Sequence, residues 1–329
     1  MTENRTVVLL LLLAAILPAF AGGQYVMHLL IMTFFYAMLS TSLNLIVGYV
    51  GELSLGHAAF FGLGAYASAV LSLEAGLPFF ACLPVAGVVA GLAALLIGSI
   101  TLRLEGHFFV LISLAFAEVL RYVVINSIDL LRGPLGYPNV PAPRLSLGGT
   151  VLADFSSKIH FYYLGLALLA LTLLAAWRFA RSSYGLGAIA VRENRRLARA
   201  VGIDPFRHAL VAFVVGGALA GLAGSFYAHY LTFVGPEVLG FGFTLSALMM
   251  VVIGGRGTLL GPLLGAAVVG ITLELLRSVN EARLSIFGIL LVLAVIFLPD
   301  GLVSLAARWR RPTLEADQAT AALDSPLRP

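Results

Sequence analysis

The chain has 329 residues, of which 60% are hydrophobic and 11% charged, against about 25% charged in an ordinary soluble domain. With a mean hydropathy of +1.01 it cannot cover itself with polar surface, which excludes a soluble globular protein. The formal charge of +4 does not mark a nucleic-acid binder, because the arginines gather beside apolar runs rather than along a polar face.

The first apolar run, Val7 to Ala21, follows Arg5 and ends on Ala19-Phe20-Ala21, the outline of a secretory signal. Further apolar runs follow at once, so it is expected to stay as a span. The next runs are Val26 to Val47, Ser54 to Leu73, Phe79 to Thr101 and His107 to Asn126. After a break come Phe161 to Ala180, His208 to Tyr230, Gly240 to Gly254, Leu259 to Leu276 and Leu284 to Leu298. At roughly 20 residues per crossing, these predict an all-α polytopic membrane protein of about ten transmembrane helices. Barrel strands would alternate apolar and polar residues, and these runs do not. Residues 1–311 then form a single transmembrane domain, and 312–329 a polar tail.

Flanking cations set orientation. Arg178, Arg181, Arg192, Arg195, Arg196, Arg199 and Arg207 fall within one thirty-residue stretch, which is expected to be cytoplasmic. Ten crossings put both termini, Arg103 and Arg256 on that same side and the loop 127–160 outside. Gly87 with Gly91, Gly217 with Gly221, and Gly257 with Gly261 and Gly265 are spaced for close helix packing in lipid. Gly48, Gly51, Gly56, Gly62 and Gly64 surround Glu52, Ser54 and His57, which predicts a broken or re-entrant run whose backbone lines a pathway.

The segment 185–202 contains no proline and is bounded by Gly185 and Gly202. On a helical wheel Leu186, Ile189, Ala190, Leu197, Ala200 and Val201 fall on one side and Arg192, Arg195, Arg196 and Arg199 opposite, interrupted only by Glu193. One amphipathic helix of about four turns is predicted. Spacing leaves two roles open: lying on anionic headgroups of membrane lipid, or docking to a cytoplasmic partner.

Several chemistries have no support. Lys158 is the sole lysine and has no glycine loop beside it, so the chain has no P-loop and no ATPase site of its own. The six histidines lie far apart, and Cys82 is the one cysteine, which leaves no recognisable metal cage and no intrachain disulfide. No Gly-x-Ser-x-Gly occurs. Glu118 with Arg121 and Glu274 with Arg277 are three apart and can neutralise one another on a helix face. Intramembrane polar residues are functional candidates by default. The pathway candidates are Glu52, Ser54, His57, Glu118, His229 and Glu237, with a satisfied core histidine as the competing reading of His57 or His229.

Five stretches, in order along residues 41–277, resemble the branched-chain amino acid ABC transporter permeases of the LivM type. They are Gly48 to Tyr66 (GYVGELSLGHAAFFGLGAY), Gly106 to Arg121 with its LAFAE core, Ala190 to Ile203, Phe213 to Glu237 with AGLAGSFYAHY, and Met249 to Ala266 with GGRGTLLGP. The resemblance implies ten helices in a bacterial inner membrane. It also implies a second homologous permease as heterodimer partner, two cytoplasmic ATPase subunits that hydrolyse ATP with Mg, and an external solute-binding protein. It gives the role of coupling to the ATPases to Arg192, Glu193, Asn194, Ala198 and Gly202, with Arg195 and Arg196 on the same segment, and so favours docking over headgroup binding. Glu52 where the family usually has Gln, Arg256, and Leu131-Arg132-Gly133-Pro134 in the outer loop depart from the pattern. They leave open relatives' substrates such as urea, short amides or aromatic acids. A stand-alone secondary transporter or channel is the alternative, with an ion site among Glu52, His57 and Glu118.

Overall fold

The structure, a computed structural model, describes residues 2–19, 23–104, 106–147, 150–155, 157–275 and 301–308, with residues 288, 289, 292 and 296. Helices α1 (Thr2–Ile16), α2 (Gln24–Asn44), α3 (His57–Leu73), α4 (Phe79–Thr101) and α5 (His107–Asn126) come first. The short α6 (Ile128–Leu131) and strands β1 (Tyr137–Pro138), β2 (Arg144–Leu147) and β3 (Thr150–Asp154) follow, then α7 (Lys158–Arg181), α8 (Ser183–Glu193) and α9 (Arg195–Ala200). The described chain closes with α10 (Pro205–Leu231), β4 (Phe233–Val234), α11 (Phe241–Gly254), α12 (Leu260–Leu275) and α13 (Gly301–Arg308).

Helices form wherever apolar runs are long, because a helix satisfies its own backbone groups without water. Five are long and apolar enough to cross a membrane: α2 with its continuation to Val50, α4, α5, α7 and α10. Four shorter apolar helices, α1, α3, α11 and α12, correspond to other expected runs. The run 284–298 lies almost wholly outside the described residues, as do Arg277 and the tail 312–329. The helical membrane class therefore holds, whereas the described helices do not fix the number of crossings at ten.

Polar side chains set several helix starts. Ser157 and Ser182 accept from the backbone N–H of His160 and Gly185, and Asp204 accepts from Phe206 N with Pro205 at the first helical position; each satisfies a donor with no intrahelical partner. At one end of the bundle Arg103 lies 5.9 Å from the Phe206 ring centroid, Arg195 meets Glu52, and the Gly257 backbone lies beside Arg192. The separated cationic segments thus share one face, as the sidedness argument requires. At the other end Lys158 Nζ donates to Gln24 O at 3.1 Å, Arg132 pairs with Glu74 at 3.4 Å, and β1 pairs antiparallel with β4, Tyr137 opposite Val234. Helices α2, α4, α7 and α11 therefore run toward the arginine-rich end, and α3, α5, α10 and α12 away from it.

Small residues hold the centre together. A Cβ at Gly217 would lie 2.5 Å from Ala94 Cβ, and one at Gly221 2.5 Å from Ala90 Cβ, while Gly64 abuts Gly221. On α11 and α12, Gly254 abuts the Gly261 carbonyl and Gly265 the Met250 carbonyl. Gly87, Gly91, Gly217, Gly221, Gly261 and Gly265 thus lie on close helix contacts, whereas Gly257, expected in the same row, lies at φ +74° outside α12, in the connection from α11.

Candidate functional site at the arginine-rich end

Helix α2 does not end cleanly. After Asn44 it widens into a buried π-helical turn, Leu45–Val50, which Gly51 closes at φ +84°. Residues 51–56 are non-helical and α3 starts at His57, so the broken run expected around Glu52 is present. A Cβ at Gly48 would collide with the Asn44 amide and the Gly257 nitrogen. Glycine there lets Asn44 reach across: its Nδ2 donates to Thr258 O at 2.8 Å, and Gly257 N donates to its Oδ1 at 2.9 Å. This one side chain ties the end of α2 to the connection between α11 and α12.

The segment 185–202 lies against this turn, although not as one helix. Asn194 adopts extended geometry (φ −156°, ψ 101°) between α8 and α9, and its Oδ1 accepts from Arg196 N and Leu197 N at 3.1 and 3.0 Å. An Asn side chain competes with helix continuation by capping a new helix start, and here it splits the predicted rod. The packed face also differs from the wheel. Gly185, Gly187, Ala188, Val191 and Ala198 are buried, whereas Leu186, Leu197 and Val201 are 60%, 62% and 68% exposed. Close approach to the bundle decides this: Gly187 sits on the His208 ring of α10, where no large apolar residue fits. Gly202 ends the segment at φ +87° with open space around it. Replacing Asn194 by Ala is expected to lower stability by about 1 kcal/mol and to raise amide hydrogen exchange at Arg196 and Leu197; unchanged exchange there would remove its capping role.

The four arginines expected on one exposed face divide into two pairs. Arg192, Arg196 and Arg199 are all exposed and Arg195 is half-buried, but Arg192 and Arg195 also reach the bundle. Arg192 turns inward, its Nη1 donating to the Gly48 carbonyl at 2.5 Å, with Gly51 and Gly257 leaving the room its side chain occupies. Its Nη2 also meets Glu193 Oε1 at 2.7 Å. Arg195 Nη1 lies 2.8 Å from Glu52 Oε1, with side chains only 22% and 15% exposed. Two guanidinium groups therefore fasten α8 and α9 to the turn that leads from α2 into α3. Neither Asn44 nor the Arg195–Glu52 pair was singled out from the sequence. A lone Asn inside an apolar run is the one signal that marked the first.

Beyond Glu52 the connection is held from two helices: Leu55 N donates to Ser113 Oγ of α5 at 3.0 Å, and Ala58 N to Thr244 Oγ1 of α11 at 2.9 Å. His57 is fully buried, and its Nε2 lies 2.8 Å from Ser42 Oγ. Thr41 Oγ1, Ser54 Oγ and His57 Nδ1 are buried with no hydrogen-bond partner among the described residues. The remaining pathway candidates do not join this group. His229 lies near the opposite end, between Ser68 Oγ (2.9 Å) and the Pro141 carbonyl (2.7 Å), as a satisfied core histidine would. Glu237 is exposed in the 3-10 turn Pro236–Leu239. Glu118 pairs with Arg121 in α5, while Glu274 lies 3.7 Å from His28. Among the described residues no group of three or more His, Cys, Asp or Glu could hold a metal ion.

A bundle of apolar helices fastened at its cationic end to a separate pair of short surface helices defines a polytopic membrane protein. The family model described as the permease component of branched-chain amino acid transport systems matches residues 25–298. The chain is 33% identical over 331 residues to the high-affinity branched-chain amino acid transport permease LivM of Salmonella typhimurium, covering 95% of this chain and 77% of the relative. Against LivM of Escherichia coli K12 it is 33% identical over 337 residues, covering 97% and 78%. LivH of the same organism is 25% identical over 296 residues, covering 82% and 91%. No solved structure matches. The chain belongs to the branched-chain amino acid transport permease family.

Proposed function

We propose that this chain is a permease subunit of an ATP-driven importer of branched-chain amino acids, moved by ATPase subunits that dock on α8 and α9. The observation that carries this reading is the fastening of those helices, by Arg192 and Arg195, to Gly48 and Glu52 at the break between α2 and α3. A push on the exposed side of the segment has a direct route into two helices of the bundle. Arg196, Leu197 and Arg199 lie on that exposed side, a mixture of arginine and apolar anchors suited to an interface core.

In this reading the arginine-rich end is cytoplasmic in a bacterial inner membrane and both termini lie there. ATP and Mg bind to the partner subunits, and a second, related permease completes the pathway. Similarity to both LivM and LivH supports a pair of related chains. The loop 127–160 and the turn at Glu237 lie at the other end, where a solute-binding protein would dock. Closure of the ATPases draws α8 and α9 of the two permeases together and exchanges outward for inward access. A weak pathway site suffices, because a solute shifts such an equilibrium only through its differential affinity for the two states.

The test is co-purification from cells expressing the whole operon. The wild-type chain should carry ATPase subunits through size exclusion, and Arg196→Glu with Leu197→Asp should lose them while the chain stays in the membrane. ATP-independent leucine accumulation by the purified chain alone would instead establish a secondary transporter.

A further inference from the structure

Helix α5 is the least covered of the long helices. In its most apolar window 22% of residues are buried, against 67% for α10 and 83% for α2. Phe108, Leu111, Val119 and Tyr122 form its open stripe, and Glu118 and Arg121 run along one border of it. Arg121 Nε donates to Glu118 Oε2 at 2.9 Å, with side chains 32% and 35% exposed. Glu118 is the twelfth of the helix's twenty residues, so it lies about 17 Å along the helix from the arginine-rich end. Charges at such depth face a bundle interior or a water-filled space rather than hydrocarbon. Glu274, a carboxylate of α12, behaves differently: it is 12% exposed and lies beside His28.

The pair also keeps hydrogen-bonding capacity to spare, with the Arg121 guanidinium 5.3 Å from the Tyr122 ring centroid. Among the described residues, Arg121 donates through Nε alone and Glu118 accepts at Oε2 alone. The Nη edge of a guanidinium is a planar two-donor fork suited to a carboxylate, and the second oxygen of Glu118 accepts from an ammonium. An amino acid zwitterion offers one group to each without adding net charge, so neither protein charge is stranded as it enters or leaves. Val119, next to Glu118 in the chain and 59% exposed, supplies apolar surface for an aliphatic side chain.

We infer that Glu118 and Arg121 form a transit site for the zwitterionic head group of the transported amino acid. The inference rests on the importer reading above. The rival is a pair that merely neutralises itself, and removing both charges together separates the two. In proteoliposomes holding the complete importer, ATP-driven uptake of radiolabelled leucine is measured for wild type, Glu118→Gln, Arg121→Gln and the double variant. A transit site predicts that the double variant stays at least about tenfold below wild type while melting at the wild-type temperature. A self-neutralising pair predicts poor single variants and a double variant restored to near wild-type uptake, which would overturn the inference.

A second measurement does not depend on those variants folding. In a Cys82→Ser background, Val119→Cys should react with a membrane-impermeant thiol reagent, more slowly when leucine-loaded binding protein is present; a cysteine inaccessible from both sides overturns the site. If the wild-type importer hydrolyses ATP but takes up no leucine, the importer reading falls and this inference with it. If wild type and double variant transport equally, only the inference falls.

Discussion

Arg195→Glu should reduce ATP-driven leucine uptake by the assembled importer at least thirtyfold, and adding Glu52→Arg should bring it back to within about threefold of wild type. The single change places two carboxylates where a 2.8 Å ion pair stood, with both groups largely covered. Removing one partner of a fully buried pair costs about 3–5 kcal/mol. With 22% and 15% of the side chains still exposed, solvent screening brings the figure nearer 2 kcal/mol, about a thirtyfold change in a two-state equilibrium. The loss should fall on coupling: ATP hydrolysis continues, but transport per ATP drops, because α9 is no longer held to the turn below α3. Recovery in the exchanged pair distinguishes an electrostatic link from a specific need for either residue at its own position. Uptake by Arg195→Glu equal to wild type would remove this link from the mechanism.

That coupling would rest on contacts between residues far apart in sequence explains what could and could not be read from the chain alone. Apolar runs announce helices because lipid leaves the backbone few alternatives, and nine of the ten runs correspond to described helices. The glycine spacings were legible for the same reason: period and residue size are local properties. The split at Asn194 was partly so, since Asn favours caps, but the wheel treated 185–202 as isolated and gave weight to its large apolar residues. In the structure the nearby α10 selects Gly187 for contact instead, against the His208 ring. Arg195 with Glu52 and Asn44 with Gly257 lie 143 and 213 residues apart, and no periodicity connects them. The pairing expected of Glu274 with Arg277 falls on a residue outside the described ones, while the contact of Glu274 with His28 of α2, 3.7 Å from its carboxylate, is again one that no local spacing announces.

Gly221→Leu should prevent recovery of a monodisperse permease, whereas Gly87→Ala should leave its melting temperature within a few degrees of wild type. Both glycines belong to the α4–α10 contact, yet their surroundings differ. At Gly221 a Cβ would stand 2.5 Å from Ala90 Cβ and 2.6 Å from the Ala86 carbonyl oxygen, while Gly64 of α3 presses on the Gly221 backbone from another side. Three helices meet there, and no nearby side-chain end can swing away, so a larger residue must separate whole helices. At Gly87 the nearest atom is Leu222 Cδ2 at 3.0 Å, the far end of a flexible side chain that can move slightly. Overpacking a dense core costs about 1–3 kcal/mol and occasionally more, and the rigid site should lie at or beyond the upper limit. In lipid this loss has little hydrophobic compensation, because helix association depends on close packing rather than on escape from water. Thermal unfolding and size exclusion of the purified chain in detergent check both variants. Equal melting of Gly221→Leu and wild type would mean that α3, α4 and α10 are not locked together, and α10 could not then carry motion from α9 to the opposite end as a rigid body.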